Sequence, residues 1–354
     1  MAGAFYSVDN RADWDAVFAR FDGSGFNDIY FDHRYASLSA GTNQIPRAFI
    51  YEAGSSLFFL PMIVSPIDEN DTEEQYFDFE TPYGYSGPLC LHVSDEFLSN
   101  AWQAFDNYCK SNRIIAGLFR FNPLLGNHAL AENYSGVEVM LDRHTVYMDL
   151  DKDYQTAWNE YASDNRNRIR KAEKLGVTIT MTNDLTSLQA FSELYHARME
   201  ELDADESYLF GTEYFEKIIE LGKDCFQVLL ATVGKDLIGG AILLLSDKFV
   251  HYHLSSTPRE YQKYAANNFL RNAAVKEYVG THRAKLHFGG GRTSATDDSL
   301  LRFKERFSKQ RLPFYIGRYI GDADIYGAIR QNWIRSHPDK VEAYANRVLC
   351  YRYV

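Results

Sequence analysis

Apolar positions in the second half of the chain switch repeatedly between helical and strand periods. Residues 153–175 carry helix formers and stop at Gly176, which suits the left-handed turn that ends a helix. Residues 177–181 alternate β-branched side chains as a strand does. Thr186 then stands as the cap of a helix whose Leu188, Phe191, Tyr195, Met199 and Leu202 recur at three- and four-residue spacing. A shorter helix is expected near 212–221. Strands at 226–233, 237–245 and 249–255 follow, joined by hairpin-sized turns at Gly234-Lys235-Asp236 and Asp247-Lys248. A long helix over 259–281, a strand at 285–288, a helix at 297–307 and a strand at 314–320 complete the series. The order is β-α-α-β-β-β-α-β-α-β, a mixed α/β pattern.

The first half repeats this pattern more loosely. Residues 48–52 and 57–64 read as a hairpin around Gly54-Ser55, followed by a strand at 75–79, a helix at 94–112, a strand at 114–121 and closing strands within 137–150. A duplicated fold of two domains is expected: residues 1–144 joined by the tail 321–354, and residues 145–320. Tyr326, Ile329, Trp333 and Ile334 share one face of that tail, which is expected to pack on the first domain. A length of 354 residues with 45% hydrophobic content suffices for two cores.

The net charge of -11 argues against non-specific binding of duplex DNA, which needs a broad cationic surface. Part of the acidity sits in residues 68–74, read as a solvated loop. Cys90, Cys109, Cys225 and Cys350 form no C-x-x-C pair and read as free thiols of a reducing, cytoplasmic compartment. The N-terminus lacks a basic start followed by an apolar core, so no signal peptide is expected, and the apolar runs are too short for a transmembrane segment.

Four constellations carry candidate chemistry. The first is Gly289-Gly290-Gly291-Arg292, which follows a strand and lets the backbone turn toward a ligand, with Gly290 and Arg292 as candidate contacts. Thr296 or Asp297 then caps a helix with Leu300, Phe303 and Phe307 as its buried stripe. Lys304 borders that stripe, where an ammonium can steady the negative charge of a tetrahedral acyl-transfer intermediate; a surface lysine lying along the helix is the plainer reading. The second is the row Arg166, Arg170 and Lys174 on one helical face, suited to phosphates or carboxylates unless it is only a solvated face. The third is the Pro- and Gly-fixed loop 81–88 with Tyr83 and Tyr85, which supplies stacking faces or simply packs. The fourth is His251 and His253 on one strand face, near His287 in type. No carboxylate or cysteine falls at a usual ligand spacing, so no metal is expected, and a histidine, His253 first, is left as a general base. No Walker loop, G-x-S-x-G elbow or G-x-G-x-x-G turn is present.

Four segments taken in order resemble the FemABX-like branch of the GNAT superfamily: Pro82-Tyr83-Gly84-Tyr85-Ser86-Gly87-Pro88, residues 165–176, His251-Tyr252-His253-Leu254-Ser255, and Gly289-Gly290-Gly291 through Phe303-Lys304-x-x-Phe307. The resemblance implies tandem GNAT-like domains, each a mixed sheet flanked by helices. It further implies acyl or aminoacyl transfer to a primary amine of a cell-envelope precursor, a nucleotide-linked sugar or peptide. Lys304 takes the role of stabilising the charged intermediate, with Phe303 beside it. Arg166 and Arg170 would grip phosphates, and Tyr252, Tyr83 and Tyr85 would line the acceptor site. No bound cofactor is implied; the co-substrate is aminoacyl-tRNA or acyl-CoA. GNAT enzymes that use acetyl-CoA cradle its pyrophosphate on a Q/R-x-x-G-x-G/A turn. Here Gln262-Lys263-Tyr264-Ala265-Ala266-Asn267 has no glycine, and obstruction by the Cβ atoms favours the acceptor end of aminoacyl-tRNA. A coiled-coil arm found in some peptidoglycan-bridge enzymes is absent. Acyl-CoA-dependent acylation of an amino sugar, and a non-catalytic binding module with Lys304 in a surface ion pair, are the alternatives.

Overall fold

A computed structural model describes residues 3–68, 74–202 and 210–353; most of the acidic stretch 68–74 lies outside the described residues. The chain divides into two compact units. One comprises Met1–Phe26, Tyr30–Asp142 and Pro313–Val354, the other Asn27–Ile29 and Arg143–Leu312.

The first unit begins with β1 (Ala4–Val8), α1 (Arg11–Phe18) and α2 (His33–Ser39). A meander of β2 (Ile45–Ala53), β3 (Ser56–Pro66) and β4 (Phe77–Glu80) follows, then the short β5 (Leu89–Leu91), α3 (Asp95–Ser111) and β6 (Ile114–Arg120). The crossover through α3 sets β6 parallel to β4, whereas β1–β2, β2–β3, β3–β4, β3–β5 and the pairing of β6 with the last strand are antiparallel. Ser94 accepts from Phe97 N to start α3, whose Phe97, Ala101, Trp102, Phe105 and Tyr108 are buried against Phe49, Phe58 and Phe119 of the sheet.

The second unit repeats the order. Strand β7 (Val137–Asp149) enters it and leads to α4 (Tyr154–Glu160), α5 (Ser163–Lys174), β8 (Val177–Thr182), α6 (Leu185–Leu202) and α7 (Thr212–Lys217). A second meander of β9 (Phe226–Val233), β10 (Asp236–Leu245) and β11 (Phe249–Ser256) precedes α8 (Ala266–Tyr278) and β12 (Lys285–Gly290). Strand β12 lies parallel to β11 and antiparallel to β7, as β6 lies parallel to β4 and antiparallel to the last strand, β13 (Gln310–Ile320). The β-α-α-β-β-β-α-β succession therefore occurs twice, as expected of tandem GNAT-like folds. Helix α9 (Ser299–Lys304) joins β12 to β13. In the tail, α10 (Ala323–Ser336) and α11 (Val341–Tyr344) belong to the first unit, where Tyr326, Ile329 and Trp333 pack with Ile67, Ile115 and Tyr351.

Several helix boundaries differ from the sequence expectation. The helix at 153–175 is two helices, because Tyr161 and Ala162 are extended and the Tyr161 ring is buried in the core. The helix at 259–281 is broken at Ala265, whose φ of 54° separates a 3-10 turn, Arg259–Tyr264, from α8. The caps also shift. Asp184, not Thr186, accepts from Ser187 N at 2.8 Å, and Asp298, not Thr296 or Asp297, heads α9. A carboxylate that reaches two backbone donors outcompetes the nearby hydroxyl.

Candidate active site

The site grows from the turn between β12 and α9 in the second unit. Asp298 accepts from Leu300 N and Leu301 N, both at 2.9 Å, and from Thr293 N and Oγ1 at 3.3 Å. One carboxylate thus starts the helix and ties down the loop before it, and these donors hold it below the usual carboxylate range despite its burial. Gly291 is required here by close approach: a Cβ on it would lie 2.6 Å from Asp298 Oδ1. Arg143 on β7 donates to the carbonyls of Gly291 and Arg292, at 3.0 and 2.9 Å.

This frame aims Lys304, the last residue of α9, inward. Its side chain is buried, with the residue 8% exposed, and Nζ donates to Gly290 O at 2.6 Å. The plain surface reading and the surface ion pair of a binding module are therefore both wrong for Lys304. Burial, then repulsion from Arg271 and Arg143, lowers its pKa to about 7, with Asp298 opposing the shift. Gly290 engages the site through its carbonyl, while the Arg292 side chain is exposed.

Arg271 on α8 escaped the sequence reading. Its guanidinium lies over the Tyr252 ring at 4.3 Å and over the Phe303 ring at 4.8 Å. Two candidate residues from distant parts of the chain are thereby brought together around a cation. An arginine amid Phe269, Leu270, Ala273, Ala274 and Val275 was the available signal, blurred by Asn268 and Asn272 on the same buried face.

The other candidates fare differently. Arg166 donates to Tyr161 O and, at 3.3 Å, to Asn159 O, so it closes the C-terminal end of α4. Arg170 is exposed and lies 5.4 Å from the Trp158 ring. His253 meets the Tyr214 hydroxyl at 2.7 Å, and burial, followed by repulsion from His251, lowers its pKa to about 3. A histidine held neutral so firmly is a weak base at neutral pH, which removes the reason for choosing it as general base. His251 instead meets Asp28, at 2.9 and 3.0 Å, and Ser246 donates to the same carboxylate at 2.7 Å; Asp28 was not foreseen either. Among the described residues no cluster suited to a metal ion is present.

Tyr83 and Tyr85 belong to the first unit, and Lys304 to the second. Their loop is built to hold its shape. Tyr35 donates to Tyr83 O at 2.9 Å, and the Tyr85 ring meets Tyr30 and Phe314 edge-on. Gly84 has φ of 96°, and a Cβ there would strike the Tyr30 ring at 2.5 Å.

The turn before α8 also changes the donor argument. Ala265 adopts the left-handed conformation usual for glycine, and the methyls of Ala265 and Ala266 are buried in the core. Those two Cβ atoms point inward, so obstruction there is no argument against a pyrophosphate. All four cysteines are thiols, and among the described residues no helix is long and apolar enough to cross a membrane.

Comparison with known proteins agrees with this architecture. Residues 160–305 match the family model of the acetyltransferase (GNAT) domain. The UDP-N-acetylmuramoylpentapeptide-lysine N(6)-alanyltransferase of Weissella viridescens is 22% identical over 270 residues, covering 71% of this chain and 79% of that protein. The crystal structure of FemX superposes with a TM-score of 0.68 at 14% identity, over 93% of this chain and 100% of that one. A tandem GNAT protein from the clavulanic acid biosynthesis pathway gives a TM-score of 0.52 at 10% identity, over 90% and 99% of the two chains. By these similarities the chain resembles the FemABX-like branch of the GNAT acyltransferase superfamily, with a GNAT domain over residues 160–305.

Proposed function

We propose that this protein transfers an aminoacyl group from aminoacyl-tRNA to a primary amine of a nucleotide-linked peptide precursor of the cell envelope. The observation that carries the reading is the buried ammonium of Lys304, held by Gly290 O at the end of a tightly capped helix. The similarity to a UDP-N-acetylmuramoylpentapeptide-lysine N(6)-alanyltransferase supports aminoacyl transfer and the peptide acceptor. Both substrates are cytosolic molecules, so the proposal places the protein in the cytoplasm.

In this reaction the acceptor amine attacks the ester carbonyl of the donor. A C–N bond forms, the carbonyl becomes an oxyanion, and collapse breaks the C–O bond to the ribose, whose oxygen leaves with the proton lost by nitrogen. Lys304 donates a charge-assisted hydrogen bond to the oxyanion, in a setting where water does not dilute it. The proton passes through substrate or solvent, since His253 is a poor acceptor. Arg170, Arg292, Tyr83 and Tyr85 remain candidate substrate contacts, Arg170 and Arg292 because their side chains are exposed.

One observation favours a second donor. The methyls of Ala265 and Ala266 are turned into the core and do not obstruct a pyrophosphate ahead of α8, which keeps acyl-CoA as a donor, with an amino sugar as acceptor. The test is to incubate the protein with a lysine-containing UDP-linked pentapeptide and either alanyl-tRNA or acetyl-CoA, and weigh the product. Addition of one alanyl residue, lost in Lys304→Met, is expected; acetylation instead selects the second donor, and no product from either donor overturns the reading.

A further inference from the structure

Arg271 is 4% exposed, yet among the described residues no carboxylate pairs with it. Its Nε is buried without a hydrogen-bond partner, and each Nη reaches a single acceptor at long range, Asn267 O at 3.3 Å and Ser255 Oγ at 3.4 Å. Such a cation is expensive to keep away from water unless an anion completes it. A second buried cation, Lys304, lies close enough for the two to repel each other. Packing alone does not explain two neighbouring cations, since an apolar residue would fill the space between Tyr252 and Phe303 without that repulsion.

We propose that Arg271 is the receptor for a carboxylate carried by the acceptor, seated beside Lys304. Tyr252 and Phe303 flank the guanidinium, which leaves its in-plane N–H groups to donate. A carboxylate is planar and matches that edge with two parallel hydrogen bonds. A phosphate carries further oxygens, which the aromatic rings cannot satisfy. The assignment rests on the acceptor being a peptide precursor, a molecule that offers both a free carboxylate and a diphosphate.

The site also couples binding to catalysis. Lys304 faces Arg271 from α8, Arg143 from β7, Asp298 from the head of its own helix, and the neutral His287 on β12. A carboxylate on Arg271 cancels the largest of the repulsions on the ammonium and stabilises its protonated form. At neutral pH and above, Lys304 then gains its charge when the acceptor is in place.

The experiment uses the full-length protein with nitrogen-15 arginine, and follows the Nε–H signal that disappears in Arg271→Lys. Sodium acetate, sodium phosphate and sodium chloride are titrated at constant ionic strength. A saturable shift with acetate, at least about tenfold stronger than with phosphate, is expected, together with a rise in the Lys304 titration midpoint. No saturable response to acetate, or a response to phosphate at lower concentration, overturns the assignment. Acetate binding in a protein that transfers nothing to peptide precursors counts against the proposed reaction alone. Active transfer beside a flat acetate response counts against Arg271 alone.

Discussion

Lys304 donates from Nζ to the carbonyl of Gly290 over 2.6 Å, and burial with two neighbouring arginines brings its pKa down to about 7. The unfolded chain keeps the ordinary lysine value of 10.5. Between these values the unfolded state holds a proton that the folded state lacks, so folding stability rises with pH across that window and is flat below it. Lys304→Met removes both the buried charge and this slope. Its thermal midpoint is expected to exceed that of the native protein at pH 7, with the gap narrowing toward pH 10, while kcat falls about 100- to 1,000-fold. Scanning calorimetry and single-turnover kinetics check both halves; a variant that is less stable and fully active contradicts the role.

Catalysis runs the other way with pH. In the proposed reaction the oxyanion needs the ammonium, so the Lys304 contribution to kcat/KM is expected to be complete below about 7 and lost as pH rises above it. The acceptor amine must shed a proton and gains with pH, which predicts a bell-shaped profile. Lys304→Arg keeps its charge throughout, so whatever activity survives should lose the alkaline limb. A pH–rate profile for the two proteins decides this.

Asp298 joins the glycine loop to α9 through four donors, so its removal acts on both stability and rate. Asp298→Ala is expected to cost about 1–2 kcal/mol in urea unfolding, the range for a lost helix cap. Because the cap sets the direction of Lys304, kcat should drop further than stability accounts for. Asp298→Asn keeps an acceptor oxygen and should recover most of the stability. Equal activity in the alanine variant would show that Lys304 finds its place without the cap.

The period of apolar residues made the second unit legible: the meander β9–β11, the glycine loop and the F-K-x-x-F element are local patterns. Lys304 was found because its neighbours in sequence are also its neighbours in space. Asp28 and Arg271 were not, for opposite reasons. Asp28 reaches His251 across 223 residues, a pairing no local window contains. Arg271 sits on a buried helical face beside Asn268 and Asn272, so polar residues diluted the apolar stripe that would have exposed it as an anomaly. Strand β1 was missed because it is almost wholly exposed and shows no alternation, and α1 and α2 because helices of eight and seven residues carry too few turns to set a period. Helix breaks at Tyr161 and Ala265 arise where a side chain is drawn into the core, a tertiary demand that overrides helical propensity.

In the first unit, Arg352 of the tail grips the fully buried Asp78, with Nε donating to Oδ2 at 2.9 Å and Nη2 to Oδ1. Burial raises the Asp78 carboxyl to about 6 even with the guanidinium beside it. The folded state therefore holds an extra proton between the ordinary value of 3.8 and about 6, and stability from this group declines as pH rises through that window. The ionised pair is thus a way of managing a buried carboxylate rather than a net gain. Arg352→Met strands that carboxylate and is expected to cost about 3–5 kcal/mol at pH 7, with a smaller loss at pH 5. The double variant Asp78→Leu with Arg352→Met removes both charges and should recover most of it. Chemical denaturation of the two variants at both pH values measures the effect. A single variant as stable as the native protein would mean that the tail is held by Trp333 and its apolar neighbours alone.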